Sequence, residues 1–318
     1  MINKILFIRS DRFGEFLLSL PAIKLAKINY PKARIYLLAQ QDNIELIRGV
    51  DFIDNFVTYS EAHYSGYQGA WRLSRLLRKE QIDCVVALNP KKEFHFASYL
   101  AATKLRVGYD RKWGWCLNKK IEDKKYEGEK HEIEYNVDLV SVFCEQSSIL
   151  PFEFPADGSA TLAFLNEMVV PTKKYIVIHP FSSHPAKKVG TEFWTALIGK
   201  IKNEFTRDII VIGAEEDRFE AEQLAQEAAV TNLAGKLSLR NLATLLKHHC
   251  SFFIGLDSGP MHLASLMHVP VVGLFTISNP KRWGPFCSDS LVIHCVANKW
   301  FIEKIDNIIS FISKLYEN

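Results

Sequence analysis

The stretch FFIGLDSGPMHLA, residues 252–264, indicates how this chain folds. An apolar run ends in the turn Asp257-Ser258-Gly259-Pro260, and an apolar helical pattern begins at once. A buried strand that leads directly into a helix is the repeating unit of a parallel α/β sheet. Such a turn also presents the free backbone N–H groups of a helix N-terminus, which suit an anion such as a diphosphate. We therefore expect a doubly wound α/β fold with an anion site at this turn.

The same residues allow a purely structural interpretation. Asp257 or Ser258 can cap the helix, with Gly259 as an ordinary turn residue. In the functional interpretation the Ser258 hydroxyl adds a donor, and Gly259 lets a phosphate approach the backbone closely. His262 taken alone is more typical of a hydrogen-bonded core histidine than of a ligand. Both interpretations stay open on these residues alone.

Outward from this stretch, strand and helix patterns alternate along the whole chain, which is typical of βαβ units. The predicted strands are residues 5–8, 34–38, 55–58, 83–87 and 105–108 in the first half and 175–179, 208–212, 252–254 and 271–275 in the second. The predicted helices are residues 15–29, 68–79, 94–101, 192–204, 218–228, 239–248 and 261–267. We expect Pro21 to bend the first helix, because proline removes a backbone donor.

A Pro- and Gly-containing segment at residues 152–172 predicts the connection between two domains. The N-terminal Rossmann-like domain is predicted at residues 1–160 and the C-terminal one at residues 161–318. An amphipathic last helix at residues 299–315 can pack on either domain, including a return to the N-terminal one. Two doubly wound domains place a ligand cleft at the carboxyl ends of their strands. That architecture also serves dehydrogenases, epimerases and binding proteins, so it does not fix the function.

Composition excludes several classes of protein. The chain has 318 residues and a formal net charge of +3, with its cations spread over both halves, so nucleic acid is not an expected partner. No apolar run approaches the roughly 20 residues that span a bilayer, and we expect a cytoplasmic protein without a transmembrane segment. The six cysteines form no CxxC pair, which favours reduced thiols over a zinc site or disulfides.

Three common motifs are absent from the sequence, and their absence disfavours particular classes of enzyme. The chain has no Asp-x-Asp pair, so we expect no metal and no other cofactor, and fixed positive groups have to carry any diphosphate charge. It has no G-x-x-x-x-G-K-[ST] loop, which disfavours a P-loop kinase. It has no G-x-G-x-x-G after the first strand, which disfavours an ordinary dehydrogenase.

Residues 257–262, DSGPMH, resemble the D-[TS]-G-x-x-H signature of glycosyltransferase family 9, the ADP-heptose:lipopolysaccharide heptosyltransferases. Four further stretches agree with that family in order and spacing. They are residues 5–22 with a Gly-Glu turn and Leu-Pro helix, 178–194 with the phosphate-contacting loop, 213–215 at the ribose and 235–239 on the adenine side. The resemblance implies a GT-B fold, in which two Rossmann-like domains face each other across a cleft, and inverting, metal-independent glycosyl transfer.

The resemblance also implies roles for individual residues. Glu15 is the expected catalytic base, and Lys187 is expected to stabilise the charge on the leaving diphosphate. The expected donor-binding residues are Ser182, Ser183, Lys188, Glu215, Leu237, Asp257, Ser258, Gly259, Pro260, Met261 and His262. The implied donor is a nucleotide sugar, ADP-heptose in the family, and the implied acceptor is an anionic lipopolysaccharide inner-core glycolipid at the inner face of the membrane.

Two departures from the family pattern bear on these roles. The family has Asp where this chain has Glu15, and Glu15 can also serve only to stabilise its helix N-terminus by about 0.3 to 1 kcal/mol. Asp11, in the same loop, is the second candidate base. Val189-Gly190 replace the usual Trp-Pro, so either Lys187 or Lys188 can be the lysine that faces the donor. The resemblance favours Lys187, because its distance to Glu192 and Trp194 matches the family pattern.

The acceptor site is predicted from cations in the N-terminal domain. Residues 111–120 combine cations with two indoles, which suits an anionic saccharide at a membrane surface, or else form a solvated basic loop. The expected acceptor-binding residues are Arg12, Lys91, Lys92, Arg111 and Lys112. Two alternative functions remain: transfer of another activated sugar to a surface polysaccharide, and nucleotide-sugar binding without turnover.

Overall fold

The computed structural model describes residues 2–146, 148–149, 153–155, 159–169, 174–295 and 302–316. It divides into two compact units, Met1–Ala156 and Asp157–Asn318. Within the predicted connection, residues 152, 156–158 and 170–172 lie outside the described residues. Helix α8, Ser159–Met168, occupies part of that connection and belongs to the second unit.

The first unit is a six-stranded parallel sheet in the order β3-β2-β1-β4-β5-β6. Its strands are β1 Lys4–Ile8, β2 Arg34–Ala39, β3 Asn55–Thr58, β4 Cys84–Ala87, β5 Leu105–Tyr109 and β6 Lys119–Ile121. Its helices are α1 Phe13–Leu17, α2 Leu20–Asn29, α3 Gln41–Ile47, α4 Glu61–Tyr64, α5 Gly66–Lys79, α6 Lys92–Leu100 and α7 Glu132–Ser141. Short 3₁₀ turns lie at Gly114–Cys116 and Lys125–Glu127.

The second unit repeats this plan in the order β12-β11-β10-β7-β8-β9. Its strands are β7 Tyr175–His179, β8 Ile209–Val211, β9 Thr231–Asn232, β10 Cys250–Leu256, β11 Val271–Phe275 and β12 Ser290–His294. Besides α8, its helices are α9 Thr191–Glu204, α10 Arg218–Ala228, α11 Leu239–His249, α12 Gly259–Leu266, α13 Pro280–Trp283 and α14 Ile305–Tyr316. Further 3₁₀ turns lie at Pro185–Lys187, Glu215–Asp217 and Ile302–Lys304. The predicted α/β doubly wound class is confirmed.

The predicted strands are present, whereas β6, β9 and β12 were missed. All three lie at an edge of their sheet. An edge strand is covered less completely than a central one and does not need a continuous apolar run, so periodicity reveals it poorly. The central strands β1 and β10 are buried along almost their whole length and were found for that reason.

The helix predicted at residues 15–29 is wrong as a single bent element. The structure divides it into α1 and α2, with Ser19 at the junction donating its hydroxyl to the Phe16 carbonyl at 2.6 Å. Pro21 is the second residue of α2, where its missing N–H has no helical partner to lose. Proline therefore starts a second helix instead of bending one.

The last helix packs in the core of the second unit, which is one of the two options that the sequence left open. Ile308 and Ile312 on α14 are fully buried with the residues of that core. The ring of Tyr316 lies 5.2 Å from Phe205 and 5.1 Å from Phe252, measured between centroids. The apolar face of α14 therefore finds its partners on neighbouring elements of its own unit. Residues 299–301 of the predicted helix lie outside the described residues.

Candidate active site

The turn at residues 257–262 lies where doubly wound sheets bind ligands. In the second sheet β7 and β10 are neighbours, and the strand order reverses direction between them. The carboxyl ends of two such strands flank a crevice in which substrates bind. Asp257 and Ser258 follow β10, and α12 begins at Gly259. The predicted anion site is thus at the switch point of its sheet.

Asp257 holds Lys187 beside the start of α12. Lys187 donates to the Asp257 carboxylate at 2.5 Å and lies 3.3 Å from its carbonyl oxygen. The other carboxylate oxygen is 3.5 Å from His262 Nε2. Burial by itself raises the pKa of Asp257, but His262 and then Lys187 outweigh it, and the pKa lies well below its usual range. Asp257 is therefore a fixed anion that positions a cation, not a proton acceptor.

Neither Asp257 nor Ser258 caps α12, so the capping interpretation is wrong. Ser258 is the N-cap residue, but its side chain makes no cap hydrogen bond. Its hydroxyl instead lies 3.1 Å from His179 Nδ1, at the end of β7. Burial lowers the pKa of His179 to about 4, so this imidazole is neutral at pH 7. The N-terminus of α12 is left without a side-chain acceptor, as an anion site requires.

The loop after β7 separates the two candidate lysines. Lys187 turns to Asp257, whereas Lys188 pairs with Glu220 on α10 at 3.1 Å. Ser182 accepts a hydrogen bond from the backbone of His184 at 3.2 Å, and Ser183 is exposed. The structure thus brings Lys187 to the α12 terminus and leaves Lys188 on another surface.

Glu215 and the segment before α11 lie together, as the adenine and ribose assignments require. Glu215 follows β8, is exposed, and pairs with Arg218 at 3.2 Å. Gly235 follows β9 with a φ of +71°, and a Cβ there would lie 2.3 Å from Glu215 Oε2. Glycine therefore permits the close approach of the two segments. Leu237 is half-buried just beyond.

In the first unit, a network of charged side chains contacts Asp11, which lies in the loop before α1. Arg9 at the end of β1 contacts Asp11 at 2.9 Å and Glu132 at 3.7 Å. Lys125 pairs with the same Glu132 carboxylate at 2.5 Å. Neither Arg9 nor Glu132 was predicted from the sequence as a site residue. The available signals were a cation that directly follows an apolar strand and a carboxylate at the first residue of α7.

The two candidate bases lie close enough to interact. Glu15 is in the first turn of α1 and is half-buried. Burial raises the pKa of Asp11, Arg9 opposes that rise, and the charge of Glu15 adds to it. Asp11 therefore holds a proton more tightly than an exposed aspartate does.

The acceptor-side residues follow three neighbouring strands of the first sheet. Arg12 lies after β1, Lys91 and Lys92 after β4, and Arg111 and Lys112 after β5, so all five belong to the carboxyl edge of a parallel sheet. Lys91 is paired with Tyr59 at 2.9 Å and Glu61 at 3.1 Å, and Arg111 with Asp123 at 2.7 Å. Arg12, Lys92 and Lys112 are exposed.

Two further kinds of feature are absent from the described ranges. No group of three or more His, Cys, Asp or Glu side chains there is placed to hold a metal ion. No helix of the described part of the chain is long and apolar enough to cross a membrane.

Known proteins resemble this chain in sequence and in fold. A Haemophilus influenzae protein named as a glycosyltransferase is 26% identical to this chain, over 89% of this chain and 86% of that protein. Lipopolysaccharide heptosyltransferase 3 of Escherichia coli is 24% identical, over 87% of this chain and 85% of that protein. The structure of ADP-heptose lipopolysaccharide heptosyltransferase II of E. coli superposes with a TM-score of 0.77 at 18% identity, over 98% of this chain and 99% of that one.

The two doubly wound units and these structural likenesses define the GT-B class of fold. The family model described as glycosyltransferase family 9 (heptosyltransferase) matches residues 70–304, well over half of the chain. The chain belongs to this family and is a glycosyltransferase.

Proposed function

We propose that the chain transfers a heptose from ADP-heptose to an inner-core acceptor of lipopolysaccharide, with inversion and without a metal. The observation that carries this proposal is Lys187, held by Asp257 at the uncapped N-terminus of α12. A fixed ammonium beside free backbone donors neutralises the charge that grows on a leaving diphosphate. The choice of sugar and acceptor is supported by relatives named as lipopolysaccharide heptosyltransferases and by the solved heptosyltransferase structure.

In the proposed reaction, a carboxylate of the first unit removes the proton from an acceptor hydroxyl. The oxygen then forms a bond to the anomeric carbon as the bond to the diphosphate breaks, and ADP leaves with the bonding electrons. Glu15 is the proposed base and Asp11 is its electrostatic partner. Arg12, Lys92 and Lys112 are exposed and are proposed to bind anionic groups of the acceptor. We propose that this takes place at the inner face of the membrane.

A donor screen tests the proposal. Purified enzyme is incubated with core oligosaccharides and a set of nucleotide sugars, and products are identified by mass spectrometry. The expected product is heavier than the acceptor by one heptosyl residue, formed only with ADP-heptose. A product with another sugar would replace the donor assignment, and binding of ADP-heptose without any product would contradict the proposed transfer to these acceptors.

A further inference from the structure

The exposed face of α5 carries aromatic side chains at its start and cations toward its end. Tyr67, Trp71 and Arg75 are four residues apart, so they lie in one row along the helix. Tyr67 is 69% exposed and Trp71 is 54% exposed. The helix Gly66–Lys79 contains four cations and no carboxylate. Its outer face is therefore both apolar and positively charged.

The aromatic part of this face continues onto the segment after β5. The ring of Tyr67 lies 6.1 Å from Trp113, and Trp113 lies 6.3 Å from Trp115. Trp115 in turn lies 5.3 Å from Tyr99 on α6, and these last two are 61% and 48% exposed. Four of the eleven large apolar side chains exposed in the described part of the chain are thus in this one region. Isolated exposed apolar residues need no explanation, but a contiguous group marks an interaction site.

The cations lie among the rings. The Arg75 guanidinium is 4.9 Å from the Trp71 ring centroid, and that of Arg106 is 5.8 Å from Tyr99. Arg78 donates to the Leu100 carbonyl, which keeps it beside the end of α6. We call this face the aromatic–basic surface; its members are Tyr67, Trp71, Arg75, Arg78, Lys79, Tyr99, Arg106, Trp113 and Trp115.

The backbone that presents the indoles adopts a conformation that costs energy. Lys112 and Trp113 both have positive φ, 47° and 69°. Residues with a side chain rarely enter this left-handed region because the Cβ approaches the following carbonyl. Two successive residues in it place Trp113 against Tyr67 and Phe96. Strained backbone of this kind clusters at functional sites.

We propose that the aromatic–basic surface docks the first unit on an anionic lipid bilayer. Trp and Tyr prefer the headgroup level of a membrane, where one side of the ring is apolar and the other is wet. Arg and Lys beside them are attracted to anionic headgroups. Helix α5 contains no carboxylate that would repel those headgroups. An anionic lipid bilayer matches both features, because its headgroups are negatively charged and an apolar layer lies beneath them.

This inference deepens the proposed function, because a docked enzyme meets a lipid-linked acceptor in the plane of the membrane. The role of docking rests on the proposed function, whereas the binding of the chain to a bilayer does not. Binding to vesicles is measured without donor or acceptor, so docking and transfer can fail separately.

The test is co-sedimentation of the full chain with vesicles of phosphatidylcholine and phosphatidylglycerol, compared with pure phosphatidylcholine. We expect binding to the anionic vesicles, weakened by salt. The double variant Arg75→Ser/Lys79→Ser is expected to weaken vesicle binding by about five-fold for each charge, or about 25-fold together. Trp71→Ser/Trp115→Ser is expected to weaken it as well.

Matched controls remove the same kinds of group elsewhere. Lys32→Ser/Arg34→Ser removes two exposed cations from the first unit, and Tyr126→Ser/Phe219→Ser removes two exposed rings, 80% and 73% exposed. All variants are checked for unchanged circular dichroism and thermal midpoint. Controls that bind like the parent chain, with test variants that do not, support docking.

Three results overturn the inference: no sedimentation with anionic vesicles, equal affinity for neutral ones, or equal losses in test and control variants. Concentration-dependent dimers that Trp71→Ser abolishes, without vesicle binding, would assign the surface to a second copy of the chain. Transfer to a soluble core oligosaccharide tests the proposed function independently. If it persists while vesicles do not bind, only the docking surface is lost.

Discussion

At the residue scale, the two neighbouring lysines of the loop after β7 have different environments. Lys187 is fixed against Asp257, and Lys188 against Glu220, so substituting each in turn separates a site cation from a surface cation. We expect Lys187→Met to lower kcat by about 10²- to 10³-fold, the usual cost of removing one group that stabilises developing negative charge. Lys188→Met, the matched control, is expected to have a much smaller effect. Steady-state kinetics with ADP-heptose measures kcat for both variants. Equal losses of kcat would contradict the assignment of Lys187 as the site cation.

The pair Asp11 and Glu15 gives a second prediction at this scale. Glu15→Gln keeps the size of the side chain but removes the proposed proton acceptor, and loss of a general base costs about 10²- to 10⁴-fold in rate. Glu15→Asp is expected to retain appreciable activity, because the family has Asp there. Asp11→Asn is the control. A nearly normal Glu15→Gln enzyme beside an inactive Asp11→Asn enzyme would make Asp11 the base.

The pH dependence of the same variants adds an independent measurement. Burial raises the pKa of Asp11, and the negative charge of Glu15 raises it further. Glu15→Gln removes that contribution, so the pKa of Asp11 should fall. A base acts only when deprotonated, so activity rises with pH through its pKa. If Asp11 is the base, the acidic limb of kcat/KM moves to lower pH in Glu15→Gln, and an unmoved limb excludes Asp11.

At the element scale, a glycine controls how the turns after β8 and β9 meet. Gly235 has a φ of +71°, and an added Cβ would lie 3.2 Å from the Glu215 Cα and closer still to its carboxylate. Gly235→Ala should therefore lower the free energy of unfolding by about 1 to 2 kcal/mol, the cost of a left-handed residue with a side chain. It should also weaken ADP binding, since Glu215 has to move.

Gly199→Ala is the matched control for that substitution. Gly199 lies inside α9, and nothing is within 4 Å of the position of an added Cβ. Alanine there should stabilise the protein by about 0.5 to 1 kcal/mol. Urea unfolding and calorimetric titration with ADP measure both effects. A Gly235→Ala protein with normal stability and affinity would show that the two turns need not touch.

At the scale of the whole molecule, the proposed reaction uses charges of the protein where other enzymes use a metal ion. In that proposal Lys187 and the uncapped N-terminus of α12 neutralise the diphosphate. Transfer should continue unchanged in excess chelator. Loss of activity that Mg²⁺ or Mn²⁺ restores would refute the metal-independent mechanism.

The sequence by itself determined the two doubly wound units, because central parallel strands must be apolar throughout and the helices between them amphipathic. It also pointed to residues 257–262 through the abrupt strand-to-helix turn. These features are local and can be recognised within about a dozen residues. The edge strands β6 and β9 were missed because they are short and only partly covered.

Tertiary structure alone decided which groups meet. The strand order brings β10 beside β7, so Ser258 reaches His179 instead of capping its own helix. It likewise brings Glu132 to Arg9 from a distant part of the chain. Spacing along the chain favours Lys187 over its neighbour only through the family pattern, whereas the position of Asp257 gives Lys187 its partner in the site. A hydrogen bond depends on distances of a few ångströms, and those are fixed by strand order and packing rather than by spacing along the chain.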